Sequence, residues 1–389
     1  MSEIGDLEVN QLLDQLVNIS SGNPCDIKPL ILGASANMFC QYMCSVRFNY
    51  TDTGFQKIVE YFDEIFWEIN QGYSFDYIPW LLPFYCNHIN KIVHWSTSIR
   101  KFILERIVNH RESNINLNDP DKDFTDALLK SLTEDKNVSR NTIIFMLEDF
   151  IGGHSAVGNL VMLALAYIAK NPTIGLHIRN EVDTVSTKGI KKISLYDMNV
   201  MPYTMASILE VLRYSSSPIV PHVAMEDTVI KGYGVTKGTV VFINNYVLNM
   251  NESYWNHPEQ FDPERFLENK YTNNKENGLK CDDNRRSLDG SDFKFNKEKN
   301  QNDSLKKNNC PQNKHNRQLK KSIPHFLPFS VGKRTCIGQN LVRGFGFLLL
   351  ANIIKNYNVN SADFSKMKLK KSSVALPTKC FKLSLRKRT

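Results

Sequence analysis

Apolar residues along the first two thirds of the chain recur every three or four positions. Residues 7–20, 29–46, 55–70 and 88–110 carry this spacing, which is the period of a helix with one buried face. The aromatic-rich stretch 76–86 is interrupted by Pro79 and Pro83, which break a helix. The strongest pattern spans 139–170, with Ser139 placed as an N-cap and Asn171-Pro172 as a stop. A helix of that length runs through the middle of a domain or between domains. Further helices are predicted over 172–184 and 202–214, followed by short β-like runs, TVIKGYGV and TVVFINNYVL. An apolar helix is predicted over 338–356, and SSVALPTKCFKLSL near the C-terminus alternates weakly, as a hairpin would. The pattern predicts a mainly α fold with a small β portion.

Residues 269–323 depart from both periods. They hold 12 Asn, and 14 Lys+Arg against 7 Asp+Glu, with almost no bulky apolar residues. Such a segment cannot bury enough surface to offset its ordering entropy, so a disordered surface insertion is expected. It would separate a helical body, 1–268, from a closing segment, 324–389. This changes the meaning of the charge: 14 − 7 puts +7 of the net +8 in that one segment. Overall basicity is then no argument for nucleic-acid binding, and no nucleic-acid motif supports it. The eight cysteines form no CxxC pair or zinc pattern, which predicts free thiols of a reducing compartment. The N-terminus, MSEIGDLEVNQLLDQL, is acidic and amphipathic rather than signal-like. Apolar runs such as LVMLALAYIA fall short of the ~20 residues a membrane span needs, so no transmembrane segment is expected in the chain as given.

The candidate chemistry lies in FSVGKRTCIGQN, residues 329–340. Cys336 stands between Gly332 and Gly338, with Lys333 and Arg334 ahead of it and a predicted helix after it. Positive charge and a helix N-terminus stabilise a thiolate. The glycines let the backbone turn tightly and approach a bulky partner. Arg334 can pair with that partner's carboxylates. The combination suits a thiolate-ligated haem, a flat ring bearing propionates.

The spacing Phe329-x-x-Gly332-x-Arg334-x-Cys336-x-Gly338 resembles the cytochrome P450 signature at each fixed position. Glu210 and Arg213 in EVLR match that family's E-x-x-R pair, and FDPERF places Arg265 where the family completes an Arg–Glu–Arg cluster. The resemblance covers nearly the whole chain except the insertion. It implies the cytochrome P450 fold, haem b with Cys336 as axial metal ligand, and cofactor contacts from Arg334, His222, Phe329, Gly332 and Gly338. It also implies electrons from NADPH through cytochrome P450 reductase.

In the family, the long central helix carries a pattern like A/G-G-x-D/E-T, whose acid and threonine deliver protons. Here the aligned stretch is Gly152-Gly153-His154-Ser155-Ala156, with Ser155 at the acid position and Ala156 at the threonine position. Gly153 is expected to open space for dioxygen, and Ser155 or His154 to relay protons. Some relatives without the threonine rearrange peroxides or dehydrate substrates, so an isomerase or dehydratase independent of a reductase stays open. The wording of EDFIGGHSAVGN and IPHFLPFSVGKRTCIGQN resembles the Spook and Spookier group of insect P450s. That resemblance implies monooxygenation of a sterol in ecdysteroid synthesis, at the cytosolic face of the endoplasmic reticulum membrane. Ile151, Val220 and Leu376 would face the apolar substrate. A complete member also has an N-terminal anchor, first strands and an early helix with a W-x-x-x-R haem contact. Trp95 and Arg100 in WSTSIR have the wrong spacing for that contact. A truncated member, with membrane attachment only in the full-length protein, is therefore expected, and a non-catalytic fragment is the third alternative.

Overall fold

The computed structural model describes residues 1–19, 22–216, 221–269, 317–361, 367, 369 and 373–388. The expected insertion over 269–323 lies mostly outside the described residues, as do Val220, Cys281 and Cys310. About 60% of the described residues are helix and 8% strand, which makes the fold mainly α. The helices are α1 (Ser2–Ile19), α2 (Lys28–Cys44), α3 (Thr53–Ile69), α4 (Cys86–Ile103), α5 (Asn109–Glu112), α6 (Phe124–Glu134), α7 (Arg140–Gly152), α8 (His154–Lys170), α9 (Pro172–Val185), α10 (Pro202–Ser215), α11 (Asn245–Met250) and α12 (Gln339–Asn356).

Helix α8 is apolar all round, and every residue from Val157 to Ala169 is buried. A helix without a polar face belongs inside a core. It is packed by α2, α3, α9, α10 and α12. Leu160, Leu163, Leu165, Phe345, Phe347 and Leu348 are almost completely withdrawn from water. Each such side chain contributes about 1.5–3 kcal/mol over leaving it exposed. The stretch Arg140–Lys170 is long and apolar enough to cross a membrane, yet 83% of its most apolar window is buried inside the molecule.

The long helix expected over 139–170 turns at Gly153, between α7 and α8. Ser139 caps α7 by accepting from the Thr142 amide at 3.1 Å. At the turn, the His154 ring meets the Ile151 carbonyl at 2.6 Å through Nδ1. A side chain competing for a helix carbonyl is a recognised cause of a bend.

The strands are short: β1 (Pro24–Cys25), β2 (His222–Val223), β3 (Thr228–Ile230), β4 (Tyr233–Val235), β5 (Val240–Val241), β6 (Leu267–Asn269), β7 (Arg317–Leu319), β8 (Tyr357–Asn360) and β9 (Leu383–Lys387). Strands β1, β9 and β8 form one antiparallel sheet, with Cys25 opposite Leu383 and Asn360 opposite Ser384. The weakly alternating C-terminal stretch thus supplies one strand, β9, whose partners lie elsewhere in the chain. Strands β3 and β4 form a hairpin through Lys231-Gly232, both at positive φ, as a two-residue turn of matching twist requires. The run TVVFINNYVL is strand only at Val240–Val241, paired with β2; Asn244 then accepts from the Val247 amide at 3.1 Å and starts α11.

The described chain divides into two units, Met1–Leu267 with Leu319–Thr389, and Glu268–Gln318. Within the second, Gln318 Nε2 donates to Glu268 Oε1 at 3.0 Å. The residues discussed below belong to the first.

Candidate functional site

The cysteine loop is closed by its own backbone. The Cys336 amide donates to the Phe329 carbonyl at 2.8 Å, and the Thr335 amide to the Gly332 carbonyl at 3.1 Å. A short 3-10 turn, Gly332–Arg334, lies between them. Gly332 has φ +70°, a left-handed conformation that only glycine adopts without strain. Cys336, Lys333 and Arg334 are exposed, and among the described residues Arg334 has no acidic partner. Helix α12 begins three residues after the thiol, with Gly338 as N-cap and no side-chain cap. The Phe329 ring is held beneath the Arg343 guanidinium, 5.2 Å from its carbon. Burial holds Arg343 below the usual guanidinium range.

The donor set of this loop matches the needs of a haem. One accessible thiol sits beside a helix N-terminus and two exposed cations, which suits a group with a single protein ligand and anionic substituents. Among the described residues no cluster of three or more His, Cys, Asp or Glu could instead hold a bare metal ion. The loop fits the group.

The structure brings Glu210, Arg213 and Arg265 together. Arg213 and Glu210 form a bidentate pair at 2.7 and 2.8 Å, and both are completely buried. Arg265 Nε reaches Glu210 Oε1 at 3.1 Å, and the Asp262 amide donates to the same oxygen at 2.8 Å. Burial pushes the Glu210 carboxyl up, and the two guanidiniums and the amide pull it back. The remaining Arg213 and Arg265 donors reach the carbonyls of Asn249, Asn256 and Gln260. The Trp255 indole packs on the Arg213 guanidinium at 5.1 Å. Trp255 in turn meets His325 and Phe326 at 4.7 and 5.9 Å. The ion cluster is therefore linked by ring contacts to the segment that enters the cysteine loop.

The central-helix residues are placed differently from expectation. A Cβ on Gly153 would lie 3.0 Å from Phe39 Cε1. That glycine serves close packing of α2 against the helix turn rather than opening space. His154 is completely buried, meets Phe62 edge-on at 5.3 Å, and lines a cavity of about 10 Å³ with Ile151, Cys40 and Ile103. Burial holds its imidazole at about 4, so the ring is neutral and enclosed by apolar side chains rather than set in a proton path. Ser155 is buried, and its hydroxyl has no partner among the described residues. His222 lies on β2 opposite Val241. Arg100 is engaged elsewhere, with Glu148 at 2.9 and 3.0 Å. Leu376 is buried; its amide is held by Asn159 and its carbonyl by Lys28. Neither of those polar residues was singled out from the sequence. Asn159 is a lone polar residue inside the apolar run of α8, whereas Lys28 opens α2.

The cytochrome P450 family profile matches residues 1–280 and 295–385. The chain belongs to the cytochrome P450 family, which implies a haem held by a thiolate. It is 59% identical over 386 residues to cytochrome P450 307a1 of Drosophila melanogaster, covering 99% of this chain and 66% of the fly protein. It is 27% identical over 343 residues to cytochrome P450 2U1 of Rattus norvegicus, covering 85% of this chain and 55% of the rat protein. Against cytochrome P450 2C8 of Homo sapiens it is 26% identical over 367 residues, covering 92% and 64%. The chain thus spans about two thirds, or less, of the length of these curated relatives.

Proposed function

We propose that this chain is the greater part of a haem-thiolate monooxygenase acting on a sterol-like ecdysteroid precursor. The observation that carries the reading is the accessible Cys336 thiol on a loop clasped by Phe329 and Gly332, ahead of α12. Likeness to the fly relative supports the ecdysteroid pathway. A bound haem supplies oxidative chemistry, because thiolate ligation donates electron density to iron and favours O–O cleavage.

Cys336 would hold the iron of such a haem through its thiolate. Arg334, exposed and without an acidic partner among the described residues, pairs with a propionate, and His222 with the other. Ser155 is the remaining proton carrier on the central helix: its hydroxyl is buried and unengaged among the described residues, whereas His154 is enclosed. Ile151 and Leu376 give the pocket its apolar character. The Glu210–Arg213–Arg265 cluster holds the loop's approach rigid. NADPH supplies electrons through cytochrome P450 reductase at the basic face behind the cysteine loop, at the cytosolic surface of the endoplasmic reticulum.

A second reading, an isomerase or dehydratase of the same fold, is favoured by one observation: Ala156 stands where a threonine would carry the proton. The two readings separate on electron supply. The full-length protein is incubated with 7-dehydrocholesterol, with and without reductase and NADPH. A product that gains oxygen only with both supports monooxygenation. A product formed without them contradicts it.

A further inference from the structure

The segment Val374–Pro377 has no strand partner, and its backbone is held by side chains from two helices, which a third helix ties together. The Leu376 amide donates to Asn159 Oδ1 at 3.2 Å. The carbonyls of Leu376 and Pro377 both accept from Lys28 Nζ, at 2.9 and 3.1 Å. The third Lys28 proton goes to Asp63 Oδ2 at 2.5 Å. Asp63 Oδ1 accepts from Asn159 Nδ2 at 2.8 Å, and that same amide nitrogen donates to the Ser155 carbonyl at 2.8 Å. Lys28, Asp63 and Asn159 are all fully buried.

The circuit closes on itself. Each ammonium proton, both carboxylate oxygens and the whole Asn159 carboxamide are satisfied. A buried ion pair is a weak source of stability compared with well-packed apolar residues of the same size. What it supplies is geometry, since each partner must keep its place or leave a charge unpaired. Asn159 and Lys28, far apart in sequence, hold backbone groups of Leu376 and Pro377, and Asp63 on a third helix ties the two together. Asn159 lies one turn beyond Ser155, on the same face of the central helix.

We propose that Lys28, Asp63 and Asn159 are positioning residues that fix Leu376 against the central helix and thereby set which apolar substrate is accepted. The proposal rests on the reading that Leu376 faces the substrate.

The test uses the full-length, haem-loaded protein. Lys28→Met alone leaves a buried carboxylate and is expected to fold poorly. The paired variant Lys28→Met/Asp63→Leu removes both charges and keeps the volume. Amide hydrogen exchange across 373–381 is compared with exchange across α12. Binding is measured by fluorescence for dehydroergosterol, a fluorescent sterol, and for a smaller apolar dye. In the paired variant and in Asn159→Leu, exchange of 373–381 is expected to quicken about tenfold, with α12 unchanged. The ratio of sterol to dye affinity is expected to shift about fivefold or more. Lys28→Arg should retain much of the parent ratio. Unchanged exchange at 373–381 would overturn the tether. Faster exchange with an unchanged affinity ratio would overturn the role in specificity. If the parent binds the dye and no sterol, the sterol reading fails by itself. The positioning proposal then stands or falls on whether the variants alter dye affinity.

Discussion

The middle of the molecule and the region around β2–β5 and the cysteine loop follow opposite rules. Around α2, α8 and α12 nearly every side chain is buried, and the charged ones close their own circuits, as Lys28 and Asp63 do. In the other region apolar side chains face outward: Met225 is 81% exposed, Tyr233 77% and Ile337 74%. Cys336 and its neighbouring cations are exposed too, next to Ile337 in the chain. Outward apolar surface is a candidate place for binding. The first region therefore holds the chain together, and the second carries the proposed chemistry. Substitutions should separate the two, lowering stability in one and ligand retention in the other.

The largest loss of stability is expected at the ion cluster. Glu210→Ala leaves two guanidiniums without their carboxylate, and should cost about 3–5 kcal/mol in denaturant unfolding. A loss under about 1 kcal/mol would place the cluster outside the scaffold.

Acid should come next, through His154. Its folded-state value, about 4, lies below the ordinary 6.5, so the unfolded chain binds the proton first. The stability that follows is fully present above 6.5 and is lost as pH falls toward 4. The loss amounts to about 3 kcal/mol, and His154→Leu should remove this part of the pH dependence of the unfolding midpoint. An equal acid sensitivity in that variant would contradict the burial argument.

At the cysteine loop the stability effects shrink. Gly332→Ala forces a Cβ into a left-handed conformation, at about 1–2 kcal/mol, and should loosen the thiol's clasp to Phe329. Arg334→Ala should change unfolding by less than about 0.5 kcal/mol while haem dissociates faster. Haem retention equal to the parent's would show that the exposed guanidinium holds no propionate.

The sequence revealed these two regions unequally. Helical periodicity exposed α1–α4 and α7–α10 to within a few residues, because their apolar spacing is set by the core they enter. It missed α6, whose Phe124–Glu134 is short and polar. It read Asn245–Leu248, the end of TVVFINNYVL, as β-like, where an N-cap from Asn244 outweighs that composition. The cysteine loop was legible, since glycine, cation and thiol are confined to a few adjacent positions. The circuit through Lys28, Asp63, Asn159 and Leu376 was not, because its members lie far apart in sequence and each alone reads as an ordinary polar residue. The placement of Gly153 against Phe39 was hidden for the same reason: a glycine's neighbour across a helix interface leaves no local pattern.

The central claim is that Cys336 is the single protein ligand of a haem. The most direct measurement is the carbon monoxide difference spectrum of the reduced protein, taken for the full-length parent and for Cys336→Ala with equal haem supplied. A red-shifted Soret band in the parent, absent from the variant while its unfolding midpoint is retained, is the result predicted. A parent without that band, or a band that survives the substitution, would contradict the account.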